Sequence, residues 1–170
     1  MRAAVFEETE GRQVKALGFG VAVVVHDEFL SEVKRPPLFW FGPELARRIM
    51  RGHSPVLSER EVREANSAEG LNLLVWESCV RPEFEKRPDG YHARMNAFLE
   101  LHRGFRWKEA ITAQVDNAER LQWAIKSGGL WWNPTEGRYQ EEVDEDPAQI
   151  AKSPHIVGMT RSIELARPAS

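Results

Sequence analysis

Residues 71–80 read Leu-Asn-Leu-Leu-Val-Trp-Glu-Ser-Cys-Val, and the reading of this run decides the fold. It is a strand length of aliphatic, aromatic and β-branched residues without helical spacing, which predicts a strand over 71–80. Downstream, Arg87-Pro88-Asp89-Gly90 is a turn signal that leads into a helix at about 90–103, where Met95, Phe98, Leu99 and His102 recur at spacings of three and four. A strand at about 108–115 follows, then a helix opening at Asn117 and stopped by Gly128-Gly129, then a strand from about 130 to 133. Residues 156–165 read as a closing strand. Strands that alternate with helices in this way require a crossover and parallel pairing.

Upstream of the central run, residues 14–25 are rich in valine and predict another strand, with Asp27 expected to cap a short helix after it. Gly18 and Gly20 share one face of that strand, the mark of a bulge or a close backbone approach. Pro36 and Pro37 force an extended loop, and Pro43 suits the first turn of a helix over 44–50. Phe39, Trp40 and Phe41 lie between them and are too apolar to leave in water. They are expected to dock on the core, with pocket lining or a partner surface as the alternatives. Ser58 and Glu61 form a capping box for a helix over 58–67. The run from Leu57 to Val62 resembles the opening of the helix-turn-helix in response-regulator transcription factors, but a strand follows Gly70 where a recognition helix is required. The acidic stretch 141–146 reads as a solvated loop.

With 170 residues, 42% hydrophobic and 29% charged, the chain can bury one sizeable core and is expected to form a single domain. Its net charge of −3 and the lack of a basic face in the sequence argue against nucleic acid as a partner. The apolar run 16–25 is too short to span a bilayer and follows an acidic leader, Glu7, Glu8 and Glu10, so neither a signal segment nor a membrane partner is expected. A lone cysteine, Cys79, inside an apolar run reads as a buried thiol of a reducing, cytoplasmic compartment. The five histidines show no paired ligand spacing and no metal site is expected.

Taken together, residues 71–133 and 155–165 resemble the C-terminal half of the GNAT N-acetyltransferase superfamily. In that family a central strand ends in a turn of pattern Q/R-x-x-G-x-G/A whose amides, with the next helix N-terminus, hold the pyrophosphate of acetyl-CoA. Arg87 to Gly90 matches the first four positions, while His92 stands where glycine or alanine is usual and Pro88 removes an amide donor. Asn117 falls on the family asparagine that caps the following helix and contacts the cofactor arm. Ala124, beside Trp123, occupies the place where many members carry a tyrosine that protonates the departing thiolate. Residues 158–165 look like the family's last strand. Three helix candidates separate residue 25 from residue 71, where members usually have a hairpin of strands.

The resemblance implies an α/β fold, a single domain with a mixed, twisted sheet flanked by helices, GNAT-like in its second half. It implies an acyl-CoA-dependent N-acyltransferase that uses acetyl-CoA or another acyl-CoA as co-substrate and a small-molecule amine as acceptor. The turn Arg87, Gly90, Tyr91, His92 and Ala93 would hold the cofactor with Asn117. Glu77 is the expected base, because a carboxylate inside an apolar run is costly to bury unless paired and gains affinity for a proton there; the alternative is an edge-facing or salt-bridged Glu77 with no catalytic role. The rival expectation is a non-catalytic module that keeps the fold and uses its cleft for a ligand or a protein. A homodimer through Phe39 to Phe41 is a third.

Overall fold

The computed structural model describes residues 1–10, 12–85, 98, 100, 104–126, 128–145, 150 and 154–160. Among these, seven strands form one sheet: β1 (Arg2–Glu10), β2 (Gln13–Val25), β3 (Leu71–Val80), β4 (Trp107–Val115), β5 (Leu130–Asn133), β6 (Arg138–Gln140) and β7 (His155–Thr160). Helices α1 (Asp27–Val33), α2 (Phe41–Met50) and α3 (Glu59–Ser67) lie between β2 and β3. The four-residue α4 (Pro82–Glu85) follows β3, and α5 (Ala118–Lys126) follows β4. The expected α/β architecture of a mixed sheet flanked by helices is present. No helix among the described residues is long and apolar enough to cross a membrane.

The strand order is β1-β2-β3-β4-β7-β5-β6, antiparallel throughout except for the parallel pair β3 and β4. Alternation along the strands sorts apolar residues to two faces. On one face Val23, Leu74, Ile111 and Ile156 pack under Phe29, Leu30 and Val33 of α1 and Phe41 and Leu45 of α2. On the other, Leu73, Val75 and Ala110 meet Phe98, while Val157 and Trp131 meet Leu121 and Ala124 of α5. Each large side chain buried in these layers is worth about 1.5–3 kcal/mol. Trp131 and Trp132 point to opposite faces, as neighbours in a strand must. Trp132 docks on α1's end, its Nε1 donating to the Lys34 carbonyl at 3.0 Å and its ring lying 4.1 Å from Lys34 Nζ.

Several boundaries differ from the sequence reading for identifiable reasons. The glutamate-rich leader is the edge strand β1, paired with β2 along its length. Within it Phe6 is buried, while Val5, Glu7 and Thr9 are exposed. Asp27 does not cap α1: His26 holds the cap position without a side-chain bond, and the Asp27 carboxylate accepts from Asn72 and from Lys108 Nζ at 2.7 Å. Helix α2 starts at Phe41 rather than 44, with Pro43 in its first turn. Phe98 and Glu100 are helical, and the other residues of the expected helix 90–103 lie outside the described residues. The capping box of α3 is present as expected, Ser58 N donating to Glu61 at 2.8 Å.

The two β2 glycines are sites of close approach. A Cβ on Gly20 would lie 2.3 Å from Phe98 Cζ, so its absence seats the ring on the strand. A Cβ on Gly18 would lie 2.4 Å from the Cys79 carbonyl oxygen and 2.8 Å from Val80 Cα, both backbone of β3. Gly18→Ala is therefore expected to cost about 1–3 kcal/mol by forcing β2 from β3, read as a lower urea midpoint at unchanged slope. An unaltered midpoint would show that the strands meet less closely than this.

Candidate active site between two diverging strands

The parallel ladder of β3 and β4 is short. Leu71 to Leu74 pair with Trp107 to Ile111, and beyond these residues the strands part. Each strand carries an extra residue at the point of parting. Opposite β2, the partner of Val21 is Glu77 and that of Ala22 is Val75, which leaves Trp76 as a bulge in β3. Opposite β7, Ile111 pairs with Gly158 and Ala113 with Val157, which leaves Thr112 as a bulge in β4. A bulge bends its strand and sharpens the twist, so two bulges facing each other drive the strand ends apart. The Thr112 hydroxyl donates to the Val157 carbonyl at 3.0 Å, within the disturbed ladder.

The gap is a cleft of about 580 Å³. Its edges are Val75 to Ser78 on β3 and Thr112 to Val115 on β4, with backbone groups that no longer pair across the gap. Trp40, Phe41, Gly42, Pro43 and Ala46 wall one side, and Arg120, Trp123 and Ala124 of α5 wall the other. Cavities of this size accept small molecules, and unpaired strand edges supply donors and acceptors to an extended ligand.

Gln114 fixes the first wall. Its Nε2 donates to the Phe39 carbonyl at 2.7 Å and its Oε1 accepts from the Phe41 amide at 2.7 Å, clamping the loop to β4. The three loop aromatics divide accordingly: Phe41 is buried at 3% exposure, Phe39 packs on the same core, and Trp40 remains 43% exposed at the cleft. Next to it, Glu44 accepts from Arg47 and from Arg48 Nε at 2.7 Å, and Arg48 also reaches Glu32 of α1. The hydrogen bonds from Arg47 and then Arg48 hold the Glu44 carboxyl at a pKa of about 2. The second wall is fixed by Asn117, whose Oδ1 accepts from the amides of Glu119 at 2.9 Å and Arg120 at 3.1 Å.

Of the residues expected to form the site, Glu77 lies on the cleft edge and Asn117 one turn before the α5 wall. Arg87, Gly90, Tyr91, His92 and Ala93 lie outside the described residues. The expected burial of Cys79 is overturned and Glu77 takes the edge-facing alternative: both are exposed, because β3 runs past the helices that cover its first half. The Glu77 carboxylate accepts only from the neighbouring Ser78 amide, at 3.2 Å, among the described residues. Ala124 is buried at the cleft, so the α5 wall presents Trp123 and a methyl group there. Trp40 takes the pocket-lining alternative raised for the loop aromatics, while Ser78, Thr112 and Gln114, polar residues inside apolar strands, and Arg120 on α5 line the site without having been marked for it. The Ser78 hydroxyl is buried and has no hydrogen-bond partner among the described residues.

No protein-family model, curated protein or solved structure matches this chain. The chemistry of the cleft is accordingly argued from its own residues.

The Glu44 clasp gives a pH dependence with a defined sign. Its folded pKa lies below the ordinary value of 4.5, so its contribution is full above that value and is lost as pH falls toward about 2. Glu44→Gln is expected to flatten the fall in urea midpoint across that acid window relative to the wild type. Parallel acid profiles for the two proteins would contradict the clasp.

Proposed function

We propose that the cleft binds the acyl-pantetheine arm of an acyl-CoA and that the chain is a divergent, GNAT-like N-acyltransferase acting on an amine. The observation that carries this reading is the parting of β3 and β4 at Leu74 and Ile111. Parted parallel strands leave two rows of backbone donors and acceptors facing one slot, and the pantetheine arm is an extended chain with two amides that suits such edges. The helix that follows β4 is capped by Asn117, at the place the resemblance assigns to the cofactor arm. The turn at Arg87 to Ala93 would receive the pyrophosphate.

In the reaction, the amine nitrogen attacks the thioester carbonyl, the C–N bond forms and the C–S bond breaks. The amine's proton passes to the Glu77 carboxylate, directly or through one water. The thiolate leaves with CoA and needs a proton, which Trp123 and Ala124 cannot give. Ser78, a hydroxyl at the cleft with no protein partner among the described residues, is the donor assigned to hydrogen-bond the departing sulfur.

The absence of an acid on the α5 wall favours one alternative, a binding module that retains the cleft and not the transfer. Calorimetry with acetyl-CoA and CoA tests cofactor binding, with Gly42→Trp as the blocked variant. Gly42 lines the cleft with Trp76 3.4 Å from the place of a Cβ, so a large ring there fills the slot. Saturable binding near the micromolar range that is lost in Gly42→Trp is the expected result. No binding at about 1 mM CoA, a concentration that still detects a weak site, would sink the acyltransferase reading and leave a module whose cleft takes another ligand or a protein. Binding without transfer to any amine would select the module.

A further inference from the structure

The face of the sheet beside the cleft is open where α1 and α2 end. Cross-strand partners share a face, and two rows continue the covered core outward. One row is Val5, Phe19 and Cys79, the other Ala3, Val21 and Glu77. All of these stand on the α2 side, because Val23 and Val25 of the same β2 alternation pack under α1 and α2. Val5 is 60% and Phe19 48% exposed, and Ala3, Glu77 and Cys79 are exposed as well. The patch is therefore an apolar platform with one carboxylate on it. That carboxylate also lines the cleft, where Arg120 on the far wall is the other ionisable residue among those described.

We propose that this platform is the acceptor site and that the acceptor is a primary amine with an apolar or aromatic body. The inference rests on the acyltransferase reading of the cleft for its chemistry, and on the sheet face for its binding. Charge complementarity selects the occupant. Glu77 has no cationic partner among the described residues, whereas the nearby Lys15 and Arg81 both pair with Glu83, at 3.4 Å and 3.9 Å. An ammonium at Glu77 points into the slot, and its organic body lies over Val21, Phe19 and Val5, which water otherwise covers at a cost. A polar or polyanionic acceptor gains nothing from this surface. The nitrogen delivers its lone pair to the thioester carbon once its proton has passed to Glu77, and the thiolate is the leaving group.

The test is titration of the whole protein, without CoA, by two-dimensional amide NMR using 2-phenylethylamine, ethylamine and 2-phenylethanol. The expected result is a dissociation constant for 2-phenylethylamine at least about tenfold below those of the other two, since one needs the ring and the other the charge. Shifted amides should cluster at residues 19–21 and 77–79. Glu77→Gln should erase the advantage over 2-phenylethanol, and Phe19→Ser the advantage over ethylamine. Equal affinities for the three compounds, or shifts elsewhere, would overturn the proposal. So would a dimer in analytical ultracentrifugation that Phe19→Ser dissociates, because the platform would then be covered by a second copy. Acetyl-CoA binding by the wild type is measured separately: its failure removes the acyltransferase reading and leaves the amine result to stand or fall alone.

Discussion

Two surplus residues in adjacent parallel strands govern this molecule. The register of β3 with β2 skips Trp76 and that of β4 with β7 skips Thr112, and both residues follow the last positions at which the two parallel strands hold together. Up to that point the sheet is continuous and its core is sealed on both faces. Past it the strands curve away from each other, and a slot replaces a ladder. The cost is a set of backbone groups without strand partners, which is tolerable only where water or a ligand can reach them. A cleft is the consequence of the bulges, and binding is the use that unpaired edges invite.

The helices are placed to keep the slot open and shaped. Gln114, in the first turn of strand past the bulge, spends both ends of its amide on the loop that leads into α2. That fixes the aromatic wall without filling the gap. The paired guanidinium groups of Arg47 and Arg48 on Glu44 extend the same restraint to α1 through Glu32. On the opposite face, Asn117 ends β4 and starts α5 in one step, so the second wall is held by the strand it flanks. Tyr139 of β6 reaches across Gly158 to the carboxylate of Glu109, which also takes Lys34 Nζ at 2.8 Å, tying the far edge of the sheet to α1. These contacts brace the sheet on both sides of the cleft.

Much of this order was legible in the residues. The bounds of β3 follow from a run with no helical period, the α3 start from Ser58 and Glu61, and the α5 start and stop from Asn117 and the Gly-Gly pair. β1 was hidden because Glu7, Glu8 and Glu10 give its second half the look of a solvated leader, and β6 because three residues carry too little pattern to mark a strand. The bulges left no signal at all, since a bulge is set by the register of two chains and neither Trp76 nor Thr112 is unusual in a strand. The exposure of Cys79 was missed for the same reason: local apolarity says nothing of where a strand outruns its covering helices. The site itself was legible only as a location, at the ends of β3 and β4, while its walls from residues 40–46 come from a segment that sequence order places far away.

Inter-strand contacts between β3 and β4, observed as proton–proton NOEs in the isotope-labelled protein, test the parting of the strands directly. The account predicts cross-strand NOEs joining Leu71 to Leu74 with Trp107 to Ile111, and none joining Glu77 or Ser78 with Gln114 or Val115. A ladder of NOEs that continues to Val115 would close the cleft, and the functional reading built on it would fall with it.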